Sequence, residues 1–271
     1  MSTLYVTDLD GTLLNSHAQF TPFSRDTINS LIDKGMLFSF ATARSAKTAT
    51  KVTSGLSGDV PIIVYTGTFI MESESHRILH ANYMTDDEIA VVTKAVKSFK
   101  LYPIVYTHIN GEEKFIYDPD TFSENVNSFA KTREGDARRQ EVHGGFESAL
   151  MGDIFYFTFM EPKEQLEPVY EFLKSKCNCL FQPDNYTDNW FLEVMPKGAT
   201  KAQAALRLKE ITGADKLVVF GDGYNDLKLF EVADEAYAVS NAEEAVKAAA
   251  TAVIDSCDND AVAKWLCENF R

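Results

Sequence analysis

The 271-residue sequence predicts an α/β protein with a doubly wound, mainly parallel, Rossmann-like sheet interrupted by an α+β insertion. Three observations carry this. Short apolar runs alternate with helix patterns over the first eighty residues, the alternation breaks near Ile78, and the first pattern returns after Pro196. Residues 1–82 and 196–271 are therefore assigned to one domain and 83–195 to a second one inserted in it. Both are of domain size.

The first strand, Leu4-Tyr5-Val6, runs into Thr7-Asp8-Leu9-Asp10-Gly11-Thr12. Gly11 marks the turn, so Asp8 and Asp10 stand where a central strand ends, the end at which open α/β sheets bind ligands. Taken alone, Asp8 to Gly11 is equally well a solvated Asp-Gly turn. Thr21-Pro22 opens a helix with Ile28, Leu31 and Ile32 on one face and Gly35 as its stop. Met36–Ala41 is a second strand ending in Thr42-Ala43-Arg44, a helix follows from Ser45, and Pro61–Tyr65 is a third strand. This spacing makes right-handed parallel crossovers.

Ile78 to Met84 reads as a connecting strand, and Thr85-x-x-Glu88 as a capping box opening a helix with Ile89, Val92, Val96 and Phe99 on one face. Strands at Ile104–Tyr106 and Phe115–Tyr117 flank the turn signal Asn110-Gly111, and the polar stretch Thr132–Gly145 reads as a loop or frayed helix. Strands at Ile154–Met160, Cys179–Phe181 and Trp190–Met195 and a helix at Lys163–Lys174 complete the insertion. Beyond Pro196, Thr200 caps a helix ending at Gly213, and Leu217–Phe220 is a strand running into Gly221-Asp222-Gly223-Tyr224-Asn225-Asp226. Strands at Tyr237–Val239 and Ala252–Ile254, an Ala-rich helix between them and a helix from Asp258 to Phe270 close the chain.

Composition excludes several classes. A net charge of −14 without a basic cluster argues against nucleic-acid and anionic-membrane partners. No basic N-terminal region precedes a long apolar run, and no apolar stretch approaches ~18 residues, so a soluble cytoplasmic protein is expected. The four cysteines are too few and too clustered for a disulfide scaffold, and Cys177 and Cys179 are read as a pair of reduced thiols. Oligomeric state is not legible.

If the first and fourth core strands are neighbours, Asp8, Asp10, Asp222 and Asp226 converge on a hard-cation site, and oxygen-only ligands of this kind suit Mg²⁺. Lys201 sits in the first turn of a helix, where a cation opposes the helix dipole. That placement hints at an anion held by lysine and backbone N–H groups, although for a lysine taken alone a solvated surface position is the commoner reading. Thr42 adds a hydroxyl at another strand end. The conjunction discriminates where each residue alone does not.

Asp8-Leu9-Asp10-Gly11-Thr12-Leu13-Leu14, Thr42-Ala43-Arg44, Lys201 and Gly221–Asp226 resemble the four ordered motifs of the haloacid dehalogenase-like phosphohydrolases. The insertion between the second and third motifs resembles the cap domain of the Cof-type sugar-phosphatase subgroup. The resemblance implies a Mg²⁺-dependent phosphatase acting on small phosphorylated metabolites such as sugar phosphates, with Asp8 as nucleophile and Asp10 as general acid and base. It implies Thr42 and Lys201 as phosphoryl ligands, and Asp8, the Asp10 carbonyl and Asp222 as metal ligands. Asn225 would hold phosphate or Lys201, and Asp226 would bind the metal or support its ligands. Arg44 is a candidate substrate contact, as are His108, Asn185, Asn189 and Trp190. The other histidines, His143 among them, show no metal-ligand spacing.

Ala43, Thr66-Gly67 and Ala202 depart from the usual Thr-Gly-Arg, Asn-Gly and Lys-Gly patterns, and Lys197 is a second-ranked rival for the catalytic lysine. A phosphomutase using the same aspartyl-phosphate is the nearest alternative. More distant are a non-catalytic phosphometabolite-binding protein and a phospho-accepting receiver domain. The last would be contiguous, with its acceptor after the third strand, where this chain has Tyr65-Thr66-Gly67.

Overall fold

A computed structural model describes residues 2–184 and 187–270. The first segment contains strand β1 (Thr3–Thr7), helix α1 (Pro22–Ile32), β2 (Leu37–Phe40), α2 (Ala46–Val52), β3 (Ile62–Val64), β4 (Phe69–Met71) and β5 (Ile78–Ala81). Next come α3 (Asp86–Phe99), β6 (Ile104–Ile109), β7 (Glu112–Tyr117), α4 (Glu124–Lys131), β8 (Arg139–Glu141), α5 (Phe146–Ala149), β9 (Asp153–Glu161), α6 (Lys163–Leu173), β10 (Asn178–Pro183) and β11 (Trp190–Met195). The last segment holds α7 (Lys201–Thr212), β12 (Lys216–Gly221), α8 (Leu227–Val232), β13 (Glu235–Val239), α9 (Glu244–Ala249), β14 (Ala252–Ile254) and α10 (Ala261–Asn269).

Side-chain oxygens set many of the helix starts. Thr21, Ser45, Thr85, Ser123 and Thr200 each accept a hydrogen bond from a first-turn N–H, and Thr85 with Glu88 closes a reciprocal capping box. Gly213 ends α7 in the left-handed conformation.

Chain contacts divide the molecule into two compact units, one formed by residues up to Ala81 together with those from Ala199 onward, the other by Asn82–Gly198. In the first, five parallel strands lie in the order β14-β13-β12-β1-β2. The chain winds one way from β1 to β2 and the other way from β12 to β14, so the direction of winding reverses between β1 and β12. Leu4, Val6, Leu217 and Val219 on this central pair are fully buried. Trp265 of α10 packs edge-on or tilted against Tyr5, Phe220 and Tyr237, with centroids 4.3–6.4 Å apart.

The third strand differs from expectation. Ala41 and Ile63 form a single parallel bridge that continues the main sheet, but β3 pairs along its length with β4, antiparallel, and β4 with β5. Only the turn Tyr65–Thr68 separates β3 from β4, too little chain for a parallel crossover.

The inserted unit is a six-stranded mixed sheet, β10-β11-β9-β6-β7-β8, antiparallel except between β7 and β8. Val92 and Val96 of α3, Val126 of α4, Phe146 of α5 and Leu166 and Leu173 of α6 share a buried cluster with Phe157, Phe159 and Leu192 of the sheet. Asn110 and Gly111 both have positive φ and turn β6 into β7. The stretch 132–145, expected to be loop or frayed helix, contains β8. Tyr117 on β7 donates to Glu141 and accepts from Arg139, so this edge strand is held by polar contacts that leave no apolar pattern. Among the described residues, no helix is long and apolar enough to cross a membrane.

Candidate active site

Where β1 ends, Asp8 keeps extended dihedrals and its N–H donates to the Phe220 carbonyl at 2.9 Å, which ties it to β12. The backbone then winds through a tight turn in which Gly11 has φ 75°. A side chain there would overlap Asp222 Oδ2, so glycine is needed both for the conformation and for the close approach. The register Thr7 opposite Phe220 puts Asp8 and Asp222 just beyond the ends of adjacent strands at the reversal of winding.

Lys201 is 1% exposed, and its Nζ donates to Asp8 Oδ1 and to Asp226 Oδ1, both at 2.7 Å. Its place in the first turn of α7 therefore reflects two buried carboxylates. Asp226 is fully buried, and its second oxygen accepts from the N–H groups of Asp222 (3.1 Å) and Gly223 (3.2 Å). Both Asp226 oxygens are spent on lysine and backbone, which makes it a holder of Lys201. Asp222 accepts from Thr12 Oγ1 at 2.8 Å and comes within hydrogen-bonding reach of Asp8. Thr12 had no role in the sequence reading, and no local pattern relates it to a residue on the far side of the insertion.

Charge is unbalanced here. Burial pushes the Asp8 carboxyl well up, and Asp226 and Asp222 add to this against the pull of Lys201. Burial also raises Asp222, with Asp226 assisting and the Thr12 hydrogen bond opposing. Burial works against the Lys201 charge, but Asp226 and Asp8 outweigh it and keep the ammonium protonated. Three acids thus share one cation. Candidate ligand oxygens of Asp8, Asp222 and Asp226 all lie within 4.8 Å of one another. An oxygen-only set with excess negative charge and two acids in mutual contact fits a hard divalent cation.

The remaining predicted residues divide. Thr42 is buried at the end of β2, and its Oγ1 accepts from the Arg44 N–H at 3.1 Å. Arg44 does not stand alone as a substrate contact. Its guanidinium forks onto Asp10, Nε to Oδ2 at 2.7 Å and Nη2 to Oδ1 at 2.5 Å. Asn225 is half-buried and makes no hydrogen bond to Lys201 among the described residues; that place belongs to Asp226. Lys197 is exposed, and its backbone N–H donates to Glu88.

In the inserted unit, His108 meets Tyr83 (Nδ1 to OH, 3.0 Å), Asn189 donates to Asn125, and Trp190 packs on Phe181 with Lys163 over its ring. Asn185 lies outside the described residues. His143, which has no ligand spacing in sequence, comes together with Asp118 and Asp120.

Residues 5–266 match the haloacid dehalogenase-like hydrolase family. The chain is 27% identical to the Bacillus subtilis 5-amino-6-(5-phospho-D-ribitylamino)uracil phosphatase YwtE, over 96% of this chain and 95% of that one. It is 22% identical to the Escherichia coli pyridoxal phosphate phosphatase YbhA, over 96% and 95% of the two chains. Among solved structures, a subclass IIB sugar phosphatase of the superfamily superposes with a TM-score of 0.73 over 99% of this chain and 98% of that one, at 19% identity. The parallel five-stranded core, the inserted mixed sheet and these matches agree: the chain belongs to the haloacid dehalogenase-like hydrolases as a Cof-type member, and is a phosphoric monoester hydrolase.

Proposed function

We propose that this protein hydrolyses small phosphate monoesters, sugar phosphates foremost, by way of an aspartyl-phosphate on Asp8, with Mg²⁺ as cofactor. The observation that carries this reading is the buried Lys201 bridge between Asp8 and Asp226, beside Asp222, at the reversal of strand winding. It fixes one Asp8 oxygen and leaves the other for attack on phosphorus.

A bound Mg²⁺ would supply Lewis-acid neutralisation of the phosphoryl oxygens and of the approaching carboxylate. Asp8, Asp222 and the Asp10 carbonyl would hold it, with Asp226 as support through Lys201 and the Asp222 N–H. In the first half-reaction an Asp8 oxygen forms a bond to phosphorus while the ester bond breaks, and Asp10 gives its proton to the leaving alkoxide. In the second, Asp10 takes a proton from the water that attacks phosphorus, and Asp8 leaves as carboxylate. Both Asp10 oxygens are engaged by Arg44, so Asp10 serves only after Arg44 has let go. Thr42, Lys201 and Asn225 are assigned to the phosphoryl group, and the insertion to closure and selection of the leaving group.

The two named relatives act on a phosphoribityl pyrimidine and on pyridoxal phosphate by their names, both small phosphorylated metabolites. The experiment is phosphate release from sugar phosphates, nucleotides, flavin mononucleotide and pyridoxal phosphate with Mg²⁺, repeated after exhaustive chelation. Release that vanishes with chelator and returns with Mg²⁺ is expected. Full activity without metal would overturn the cofactor assignment. Transfer to a second sugar hydroxyl in place of water would make the protein a phosphomutase.

A further inference from the structure

The turn after β3 runs against residue preference. Tyr65, Thr66 and Gly67 have φ of 49°, 55° and 95°, and only the last has the freedom such values ask for. A β-branched residue in the left-handed region is a rare outlier, retained where the surroundings over-determine it, and such outliers cluster at functional sites.

Here the surroundings are parts of the proposed phosphoryl site. Tyr65 N–H donates to the Arg44 carbonyl (3.0 Å) and Thr66 N–H to the Thr42 carbonyl (2.9 Å), while Thr68 N–H closes the turn on Tyr65 (2.9 Å). On the other flank a side chain on Gly67 would overlap the Thr200 carbonyl and come 2.9 Å from the Lys201 backbone nitrogen. Thr66 is thus clamped between the strand end bearing Thr42 and the helix start bearing Lys201. The parallel bridge from Ala41 to Ile63 puts it at the same end of the sheet as Asp8, Thr42 and Asp222.

Thr66 is 5% exposed, and its Oγ1 has no hydrogen-bond partner among the described residues. Burying a hydroxyl unpaired is unfavourable, and valine would fill the same space without that cost. An improbable backbone and an unspent buried hydroxyl coincide in one residue.

We propose that Thr66 is a phosphoryl ligand whose hydroxyl donates to an oxygen of the bound phosphate monoester, beside Thr42 and Lys201. The proposal rests on the phosphatase reading above and adds a residue to its phosphate site.

The test measures inorganic phosphate, both as a competitive inhibitor of nitrophenyl phosphate hydrolysis and as a stabiliser in thermal unfolding, for wild type, Thr66→Val, Thr66→Ser and Thr66→Gly. Loss of a hydrogen bond to a charged group predicts phosphate binding weakened about 10- to 100-fold in Thr66→Val and Thr66→Gly, with KM rising more than kcat falls. Thr66→Ser should stay within about threefold of wild type, since it keeps the hydroxyl. Without phosphate, Thr66→Gly should unfold no earlier than wild type because it relieves the strained φ, and it decides the matter if Thr66→Val does not fold. Wild-type phosphate affinity in Thr66→Gly overturns the proposal alone. A wild-type protein that neither hydrolyses monoesters nor binds phosphate overturns the phosphatase reading and this proposal with it.

Discussion

Among the described residues, two acidic clusters look alike on paper. Asp8, Asp222 and Asp226 form one, and Asp118, Asp120 and His143 the other, each with candidate ligand atoms within 4.8 Å of one another. They differ in what their oxygens already do. Asp118 is fully buried but saturated: it accepts from the N–H groups of Asp120, Gly144 and Gly145 and from Thr121, and although burial works against its charge these hydrogen bonds hold its carboxyl below the usual range. Asp120 and His143 are exposed and pair with each other at 2.7 Å. That cluster ties loops together: its buried carboxylate is satisfied by hydrogen bonds, and its other two members lie open to solvent. In the other, three acids share one lysine, and burial keeps water from screening them. Proximity of carboxylates is thus a poor guide to chemistry, and buried charge left unbalanced is a better one.

The largest effects should come from the unbalanced cluster. Asp8→Asn removes the nucleophile while preserving shape, so hydrolysis should fall to the uncatalysed background with the fold intact. Asp10→Asn keeps the nucleophile but cannot move the proton, for a loss of about 10²–10⁴-fold per step. With a nitrophenyl ester, whose leaving group needs little protonation, Asp10→Asn should give a burst of nitrophenol stoichiometric with enzyme and then slow turnover. Asp8→Asn should give none. A burst from Asp8→Asn and none from Asp10→Asn would reverse the two roles.

Stability sharpens the contrast. Lys201→Met strands Asp8 and Asp226 without their cation and should cost about 3–5 kcal/mol by denaturant unfolding, in the range for a buried ion pair that loses one partner. Asp118→Asn keeps one acceptor but turns a donor toward N–H groups, for about 1–3 kcal/mol, with chemistry at Asp8 unchanged. If Asp118→Asn abolished hydrolysis while the protein stayed folded, the distinction between the clusters would fail.

Much of the core was legible because it follows from local rules. Asp8 and Asp222 end apolar runs, Thr200 announces the helix that carries Lys201, and Gly11 marks the turn at the first motif. What escaped depends on side-chain direction or on partners distant in sequence. Asn225 and Asp226 are adjacent, and only the reach of Asp226 back to the Asp222 and Gly223 N–H groups decides which of them meets Lys201. The Arg44 fork onto Asp10 spans two strand ends that no spacing relates. Strand β8 is polar throughout, so an alternation rule has nothing to find. Thr66 was visible as a departure from the expected asparagine, but nothing in a threonine forecasts a left-handed backbone.

The smallest expected effect lies in two histidines of the inserted unit, which should titrate on opposite sides of the ordinary value. Asp120 raises His143 above 6.5 through the hydrogen bond and its charge. Burial lowers His108 below 6.5, with Glu113 and Asp153 opposing. The linkage runs in opposite directions. The contribution of His143 is fully present below its unfolded value of ~6.5 and fades as pH rises through the folded one. For His108, folding favours the neutral ring, so stability is full above ~6.5 and falls as pH drops toward the lower folded value. Imidazole resonances followed by NMR from pH 5 to 8 should therefore show His143 with the higher midpoint, and Asp120→Asn should bring it down while His108 stays put. Because His143 is exposed and salt screens its partner, the shift should shrink with added salt, whereas that of His108, set by burial, should not. Equal midpoints at low salt, or a His108 midpoint that moved with ionic strength as far as that of His143, would break the assignment of one shift to a charge and the other to burial.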